Sequence, residues 1–118
     1  MNTRQKGLSN VREVKKILEG MECKVEGPTY GVAFFDGGMK PIHRDLFGIA
    51  DLVAWHPDHK LRLHQVTDLG NKARHITEIR KLGIPCWVWC KVPRQGYRVF
   101  EVVESGEVIE AEHRWGKV

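Results

Sequence analysis

The sequence predicts an α/β domain with a mixed central β-sheet flanked by two helices. A segment with helical spacing of apolar residues opens the chain, and several short segments with strand-like alternation follow it. A second helical segment then separates two strand-like ones, and its length is typical of a right-handed crossover between parallel strands. With 118 residues, no internal repeat and no low-complexity tract, the chain is predicted to form a single domain.

The first half of the chain is predicted to contain one helix and two short strands. Residues 1–7 are basic and polar, which is typical of a flexible lead-in. The helix is predicted over residues 11–19, with Ser9 or Asn10 as its N-cap, an apolar stripe of Val11, Val14, Ile17 and Leu18, and Gly20 at its end. Strands are predicted at residues 21–26 and 30–35, and residues 36–41 are predicted to be a loop.

The second half is predicted to be a hairpin, a helix and three further strands. Residues 44–55 and 60–67 form the two strands of the hairpin, joined by a turn at residues 56–59. The helix spans residues 69–83, because Gly83 is a suitable C-cap and Pro85 prevents continuation. Residues 86–91 are apolar on both faces, which indicates a central strand with Trp87 and Trp89 in the core. Strands at 97–103 and near 108–109 precede a polar tail, residues 113–118.

Composition narrows the class of protein only a little. The 19 Lys and Arg exceed the 15 Asp and Glu by four, a mild positive charge that permits contact with phosphate backbones without requiring it. No segment approaches the ~20 apolar residues of a membrane span, and the polar start lacks the apolar core of a signal peptide. A cytoplasmic protein without membrane contact is therefore expected. The three cysteines lack CxxC spacing and are predicted to be reduced and buried.

Asp51, Gln65 and Thr67 are the first candidate site residues, because the predicted hairpin brings them together. Residues two apart on a strand project from the same face, so Gln65 and Thr67 point the same way. Folding the hairpin about residues 57–58 places Asp51 across from His64 or Gln65, with side chains about 5 Å apart. Oxygen ligands from both strands could then hold one divalent ion. Alternatively, Asp51 bonds a turn amide and the strand simply emerges into solvent at Gln65.

The arrangement of Asp51 and Gln65-x-Thr67 resembles the site of the PD-(D/E)XK, or restriction-endonuclease-like, superfamily. Within it, residues 5–92 are most similar to small Holliday-junction-resolvase-like proteins of archaea, bacteria and phages. The resemblance implies a restriction-endonuclease-like core, with Mg²⁺ or Mn²⁺ as cofactor. Asp51 would be the metal-binding aspartate. Gln65 stands where the family more often has Glu, and Thr67 stands where the catalytic lysine is usual.

The resemblance also implies roles for residues outside the hairpin. The acid of helix one would fall on Glu13, as a catalytic and metal-binding group. Asn10 also fits this position in a shifted alignment. The pattern from Asn10 to Glu13 is also that of a capping box, which is a structural role. Asp45 is a candidate second metal ligand or a turn-binding residue. Lys72 or Arg74, on the neighbouring helix, would supply the missing positive charge. Nucleic-acid contacts would fall on Arg44, Lys72, Arg74 and His75, unless these residues belong to a merely solvated surface.

The function that the resemblance implies is metal-dependent hydrolysis of phosphodiester bonds in DNA. The resemblance points to branched or recombination and repair DNA as one class of substrate, and the sequence leaves duplex and single-stranded DNA open. It also suggests a homodimer, in the cytoplasm of the cell or, for a phage-encoded protein, of the host. The alternative is a nuclease-fold protein that binds nucleic acid without cutting it, having lost the lysine and the carboxylate at Gln65. A third interpretation is an interaction module that keeps only the fold. A zinc site at the histidines near the hairpin turn is not predicted, because no cysteine lies close by and such a site needs about four ligands.

Overall fold

The computed structural model describes the backbone of residues 3–35, 38–44, 46–47 and 49–111, and the side chains of residues 7–28, 46–47 and 49–111. In this part of the chain, two helices and eight strands follow one another. They are α1 (Thr3–Gly20), β1 (Lys24–Glu26), β2 (Thr29–Phe35), β3 (Gly38–Arg44), β4 (Leu52–His56), β5 (Lys60–Asp68), α2 (Lys72–Leu82), β6 (Cys86–Val92), β7 (Gly96–Val102) and β8 (Val108–Glu110). No helix among the described residues is both long enough and apolar enough to cross a membrane.

The main sheet contains six of the described strands in the order β1-β4-β5-β6-β7-β8. β5 and β6 are parallel and are connected through α2, whereas the other described pairs in this sheet are antiparallel. β2 and β3 form a separate antiparallel pair. The predicted α/β class, with a mixed sheet and two helices, is therefore confirmed.

The two helices cover opposite faces of the sheet, here called the α1 face and the α2 face. On the α1 face, Val11, Val14 and Leu18 belong to one buried cluster with Val66 and Trp89. On the α2 face, a second buried cluster contains Ile76, Ile79, Leu63, Val88 and Cys90. Because successive strand residues project to opposite faces, the even-numbered residues of β5 face α1 and the odd-numbered ones face α2. This alternation determines which candidate site residues can meet.

The first helix begins earlier than the sequence predicted. α1 starts at Thr3, so residues 3–7 are helical rather than a lead-in. Ser9 and Asn10 lie inside the helix and do not cap it. Leu8, three residues before Val11, continues the apolar stripe towards the N-terminus and is half-buried. Once a turn has formed there, each further residue adds a backbone hydrogen bond, which outweighs the local capping preference.

Two boundaries in the region before the hairpin were also predicted wrongly. Residues 38–41, predicted as loop, belong to β3, where Pro41 pairs with Val32 of β2. A two-stranded sheet leaves one edge of each strand free, so a residue without an N–H is tolerated there. The predicted strand over residues 44–55 is interrupted, because Leu46 and Ala50 form an isolated bridge and Phe47 has a φ of 56°. β4 therefore begins only at Leu52.

The second helix and the strand after it follow the prediction more closely. α2 begins at Lys72, where the Asp68 carboxylate accepts the backbone N–H of Asn71 at 2.9 Å. It ends as expected at Gly83, which has a φ of 73° and donates its N–H to the carbonyl of Ile79. β6 is a central strand between β5 and β7. These features depend on local sequence patterns, and the prediction found them for that reason.

Candidate functional site

Asp51 and Gln65 lie across the β4–β5 hairpin from each other. Leu52 pairs with His64, and the backbone N–H of Asp51 donates to the His64 carbonyl at 2.9 Å. Continuing this register by one residue places Asp51 opposite Gln65, as the hairpin geometry predicted. Both side chains are buried: Asp51 is 4% exposed and Gln65 is 5% exposed.

The two side chains hydrogen-bond the backbone of the same residue, Val66. Asp51 Oδ2 accepts the Val66 N–H at 2.9 Å, and Gln65 Nε2 donates to the Val66 carbonyl at 3.2 Å. β4 begins at Leu52, whose partner is His64, so Val66 lies beyond the paired part of this hairpin. A buried peptide group without a partner is costly. Asp51 and Gln65 therefore take the place of the missing strand.

The oxygens of this pair form a small donor set for a metal ion. Gln65 Oε1 is buried and has no hydrogen-bond partner among the described residues. Mg²⁺ takes six ligands in near-octahedral geometry and usually keeps several waters. Asp51 supplies one carboxylate whose Oδ2 already accepts the Val66 N–H, and Gln65 supplies one neutral oxygen, so the pair is a weak donor set for such an ion. The described residues also contain no cluster of three or more His, Cys, Asp or Glu that could hold a metal ion. No catalytic step is therefore assigned to a metal at this position.

Glu13 lies on the α1 face, away from Gln65 and Thr67, which project from the α2 face. Its Oε1 accepts a hydrogen bond from Lys91 Nζ at 2.9 Å. Partial burial raises the pKa of Glu13, but hydrogen bonds from Lys91 and Tyr97 outweigh that effect, and the pKa lies below its ordinary value. The structure thus gives the helix-one acid an ion-pair partner on β6 and does not bring it to the Asp51–Gln65 pair.

Thr67 and Lys72 lie near Cys90 on the α2 face. Thr67 pairs with Cys90 across β5 and β6. Burial raises the pKa of Cys90 to about 11, opposed by the charges of Lys72 and Arg98. The ammonium of Lys72 lies 4.2 Å from the centre of the Phe100 ring, close enough for a cation–π contact. Lys72 therefore lies on the α2 face, the face from which Thr67 projects, and its role in place of the motif lysine stays a prediction.

The remaining predicted contact residues are only partly described. Arg74 is exposed and His75 half-buried on the first turns of α2. β3 ends at Arg44, whose side chain lies outside the described residues, and Asp45 lies outside them altogether. Of the predicted set, the structure brings Asp51 and Gln65 together, with Thr67 and Lys72 at the same end of the α2 face.

The α1 face carries a cavity that sequence reasoning missed. It has a volume of about 440 Å³ and opens between the end of α1 and the β4–β5 hairpin. Trp87, predicted to be core, is half-buried and lines it together with Trp89, Arg62 and Lys60. The sequence did contain a signal, because Lys60, Arg62 and His64 alternate along one strand and must share a face.

His64 is a neutral histidine that joins this cavity to the core. Its Nδ1 accepts the indole N–H of Trp89 at 2.9 Å. Burial, together with a smaller effect of the Arg62 charge, lowers the pKa of His64 to about 3. Because Nδ1 is the acceptor, the proton of the neutral ring is on Nε2. His64 is only 3% exposed, yet it belongs to the cavity lining.

Comparisons of the chain with protein-family models, with curated proteins and with solved structures find no match in any of the three. The described candidate residues divide between the two faces of the main sheet. The Asp51–Gln65 pair and Lys72 belong to the α2 face, and the cavity with His64 and Arg62 belongs to the α1 face. Function is therefore inferred from these two regions and from their chemistry.

Proposed function

We propose that this protein binds nucleic acid on a restriction-endonuclease-like core and does not cleave it. The order of α1, β1, the β4–β5 hairpin, α2 and a parallel β6 is compatible with such a core. The pairing of Asp51 with Gln65 across the hairpin supports the same assignment. Both features are those that the resemblance implies.

The observation that carries the proposal is the hydrogen bond from the Val66 N–H to the Asp51 carboxylate. In metal-assisted hydrolysis, a metal activates a water beside the scissile phosphate, which requires access to the metal-binding oxygens. Asp51 is almost fully buried and already accepts a backbone hydrogen bond. Thr67 is uncharged where the family has a lysine, so it cannot stabilise a developing negative charge as that lysine does. Both facts favour binding without cutting.

Among the described residues, the N-terminus of α2 is the surface that we assign to phosphate. Its first turn contains Lys72, Arg74 and His75 and no acidic residue, and the Asp68 carboxylate before it is bound to Asn71. The free backbone N–H groups of a first turn attract anions, and these cations add to that attraction. The net charge of +4 acts in the same direction.

Fluorescence anisotropy on duplex, branched and single-stranded DNA tests this assignment. We expect binding that weakens steeply with salt. The double variant Lys72→Ala/Arg74→Ala should lower the slope of log K against log salt by about 2, because each phosphate contact contributes about 0.9. The matched control Lys16→Ala/Lys81→Ala removes the same charge from exposed positions elsewhere. If both double variants change the slope equally, or if no DNA binds, the proposed surface is wrong.

Metal-dependent endonuclease activity is the second candidate function, favoured by the unpartnered, buried Gln65 Oε1. The same DNA panel with Mg²⁺ and Mn²⁺ distinguishes the two. Cleavage by the native protein that disappears in Asp51→Asn would select the nuclease. The double variant Gln65→Glu/Thr67→Lys restores the family pattern. If it gains Mn²⁺-dependent cleavage that the native chain lacks, the restriction-endonuclease-like core is supported and the native protein is a non-cutting form.

A further inference from the structure

The cavity on the α1 face combines an apolar interior with a cationic rim. Leu18, Val99 and the buried Trp89 contribute to the interior. Lys60 and Arg62 are the permanently charged residues of the lining, and among the described residues that line the cavity there is no Asp or Glu. Lys60 is exposed and Arg62 half-buried, and two cations without a carboxylate in the lining make this rim positive and complementary to an anion.

The walls of the cavity are rich in aromatic rings. Two indoles, Trp87 and Trp89, and three imidazoles, His56, His59 and His64, belong to the lining. The rings of His56 and His59 lie 4.9 Å apart between their centres, at the mouth formed by the hairpin turn. Flat rings of this kind favour a planar ligand, because stacking buries large areas at little conformational cost.

One cation is already positioned at the aromatic wall. The guanidinium carbon of Arg62 lies 4.5 Å from the centre of the Trp87 ring. A guanidinium has N–H donors that can bind a phosphate or carboxylate with two hydrogen bonds, and here they lie beside the aromatic wall. A planar body against Trp87 and an anionic group against Arg62 could therefore be bound at once. A volume of about 440 Å³ is within the range of small-molecule sites.

We infer that this cavity binds a nucleotide, with the base against Trp87 and the phosphate against Arg62 and Lys60. The nucleotide could come from two sources, a free mononucleotide or an unpaired nucleotide of a strand. The second source rests on the proposed nucleic-acid binding, and the first does not. The site lies on the opposite face of the sheet from Lys72 and Arg74, so the two surfaces can be tested separately.

Isothermal titration calorimetry of the full chain with AMP, UMP, a 5′-phosphorylated single-stranded hexanucleotide, inorganic phosphate and laurate tests the inference. We expect the nucleotides or the hexanucleotide to bind more tightly than phosphate or laurate. Arg62→Gln should weaken that binding roughly 10- to 100-fold, as the loss of a charged hydrogen-bond donor does. Trp87→Leu should weaken it by about tenfold, the lower part of the range for loss of base stacking.

Matched controls are available away from the cavity. Arg74→Gln removes an exposed cation from α2, and Phe47→Leu removes an exposed aromatic ring that does not line the cavity. Neither should change AMP affinity.

Binding of the hexanucleotide but not of AMP or UMP, lost in Arg62→Gln, assigns the strand as the source. Laurate binding without nucleotide binding, or equal effects of Arg62→Gln and Arg74→Gln, overturns the inference. If the inference fails in this way but duplex DNA still binds, the proposed function stands. If AMP binds but no DNA binds, the inference about the cavity stands and the proposed function is wrong.

Discussion

His64 and Gln65 are neighbours on β5 that are buried to nearly the same extent, yet the two faces of the strand use them differently. His64 is 3% exposed and Gln65 is 5% exposed. On the α1 face, the His64 ring accepts the Trp89 indole N–H and borders an open cavity. On the α2 face, the Gln65 amide bonds the backbone of Val66 and leaves Oε1 without a partner among the described residues.

This difference separates a polar cluster that bonds backbone from one that faces a cavity. On the α2 face, Asp51 and Gln65 complete the hydrogen bonding of a strand that extends beyond its neighbour. On the α1 face, the buried polar group is a neutral side chain beside cations that have no acidic partner in the described lining of the cavity. Burial of an acid, taken alone, is therefore poor evidence for catalysis, because the same burial accompanies a backbone-capping role.

The largest expected effect is on stability at Asp51. Asp51→Ala should lower the free energy of unfolding by about 3 kcal/mol, because it leaves the buried Val66 N–H without its acceptor. Asp51→Asn should cost less, since an amide oxygen can still accept that bond. Urea denaturation measures both. If Asp51→Ala instead increases stability, Asp51 destabilises the fold, as catalytic groups often do. That result would contradict the structural role assigned to the α2 face.

The next effect is a loss of stability on acidification that depends on His64. The folded-state pKa is about 3 and the ordinary value is 6.5, so below pH 6.5 the unfolded chain takes up a proton that the folded chain does not. Stability contributed by the neutral ring is therefore present above pH 6.5 and is lost progressively as the pH falls towards 3. Between pH 7 and pH 5 the loss should be roughly 2 kcal/mol.

Denaturation curves at several pH values check this expectation. His64→Gln should remove most of the loss between pH 7 and pH 5. His59→Gln, an exposed histidine at the hairpin turn, is the matched control and should retain it. An unchanged pH dependence in His64→Gln would show that His64 is not held neutral by its surroundings.

Replacing each neighbour with leucine sharpens the contrast between the faces. His64→Leu removes the acceptor of the Trp89 indole N–H and should cost about 2 kcal/mol. Gln65→Leu loses one hydrogen bond to a backbone carbonyl but also removes a buried, unpartnered oxygen, so its net cost should be less than about 1 kcal/mol. Thermal and urea unfolding of the two variants give the ranking. The reverse ranking would contradict the difference drawn between the faces.

The smallest expected effect concerns Glu13 and Lys91. The pair is partly exposed, so Glu13→Gln should lower stability by less than about 1 kcal/mol at pH 7. Because the folded-state pKa of Glu13 is lowered, its contribution is present above pH 4.5 and is lost as the pH falls through the folded-state value. DNA binding on the α2 face should be unchanged. A large loss of DNA binding or cleavage in Glu13→Gln would return this acid to the site.

Several features of the fold and of the candidate site could be predicted because they depend on residues close together in the chain. The β4–β5 hairpin, the end of α2 at Gly83 and the central position of β6 follow from local periodicity and turn chemistry. The placement of Asp51 opposite Gln65 is of the same kind, because hairpin register is determined by a turn within the same segment. The start of α1 was predicted wrongly because local capping patterns do not decide between two competing starts.

The hydrogen-bonding and packing partners of the site residues could not be predicted from local sequence patterns. Lys91, the partner of Glu13, is 78 residues away in the chain. Trp87 is a large apolar residue, and the sequence pattern therefore predicts that it is buried. It faces a cavity because of where the end of α1 and the hairpin turn pack. The amino-acid sequence thus determines which side chains share a face of each strand, since that depends on backbone alternation alone. Whether a face is sealed or open, and whether a buried acid bonds backbone or ligand, depends on where distant segments pack, and local patterns contain no information about that.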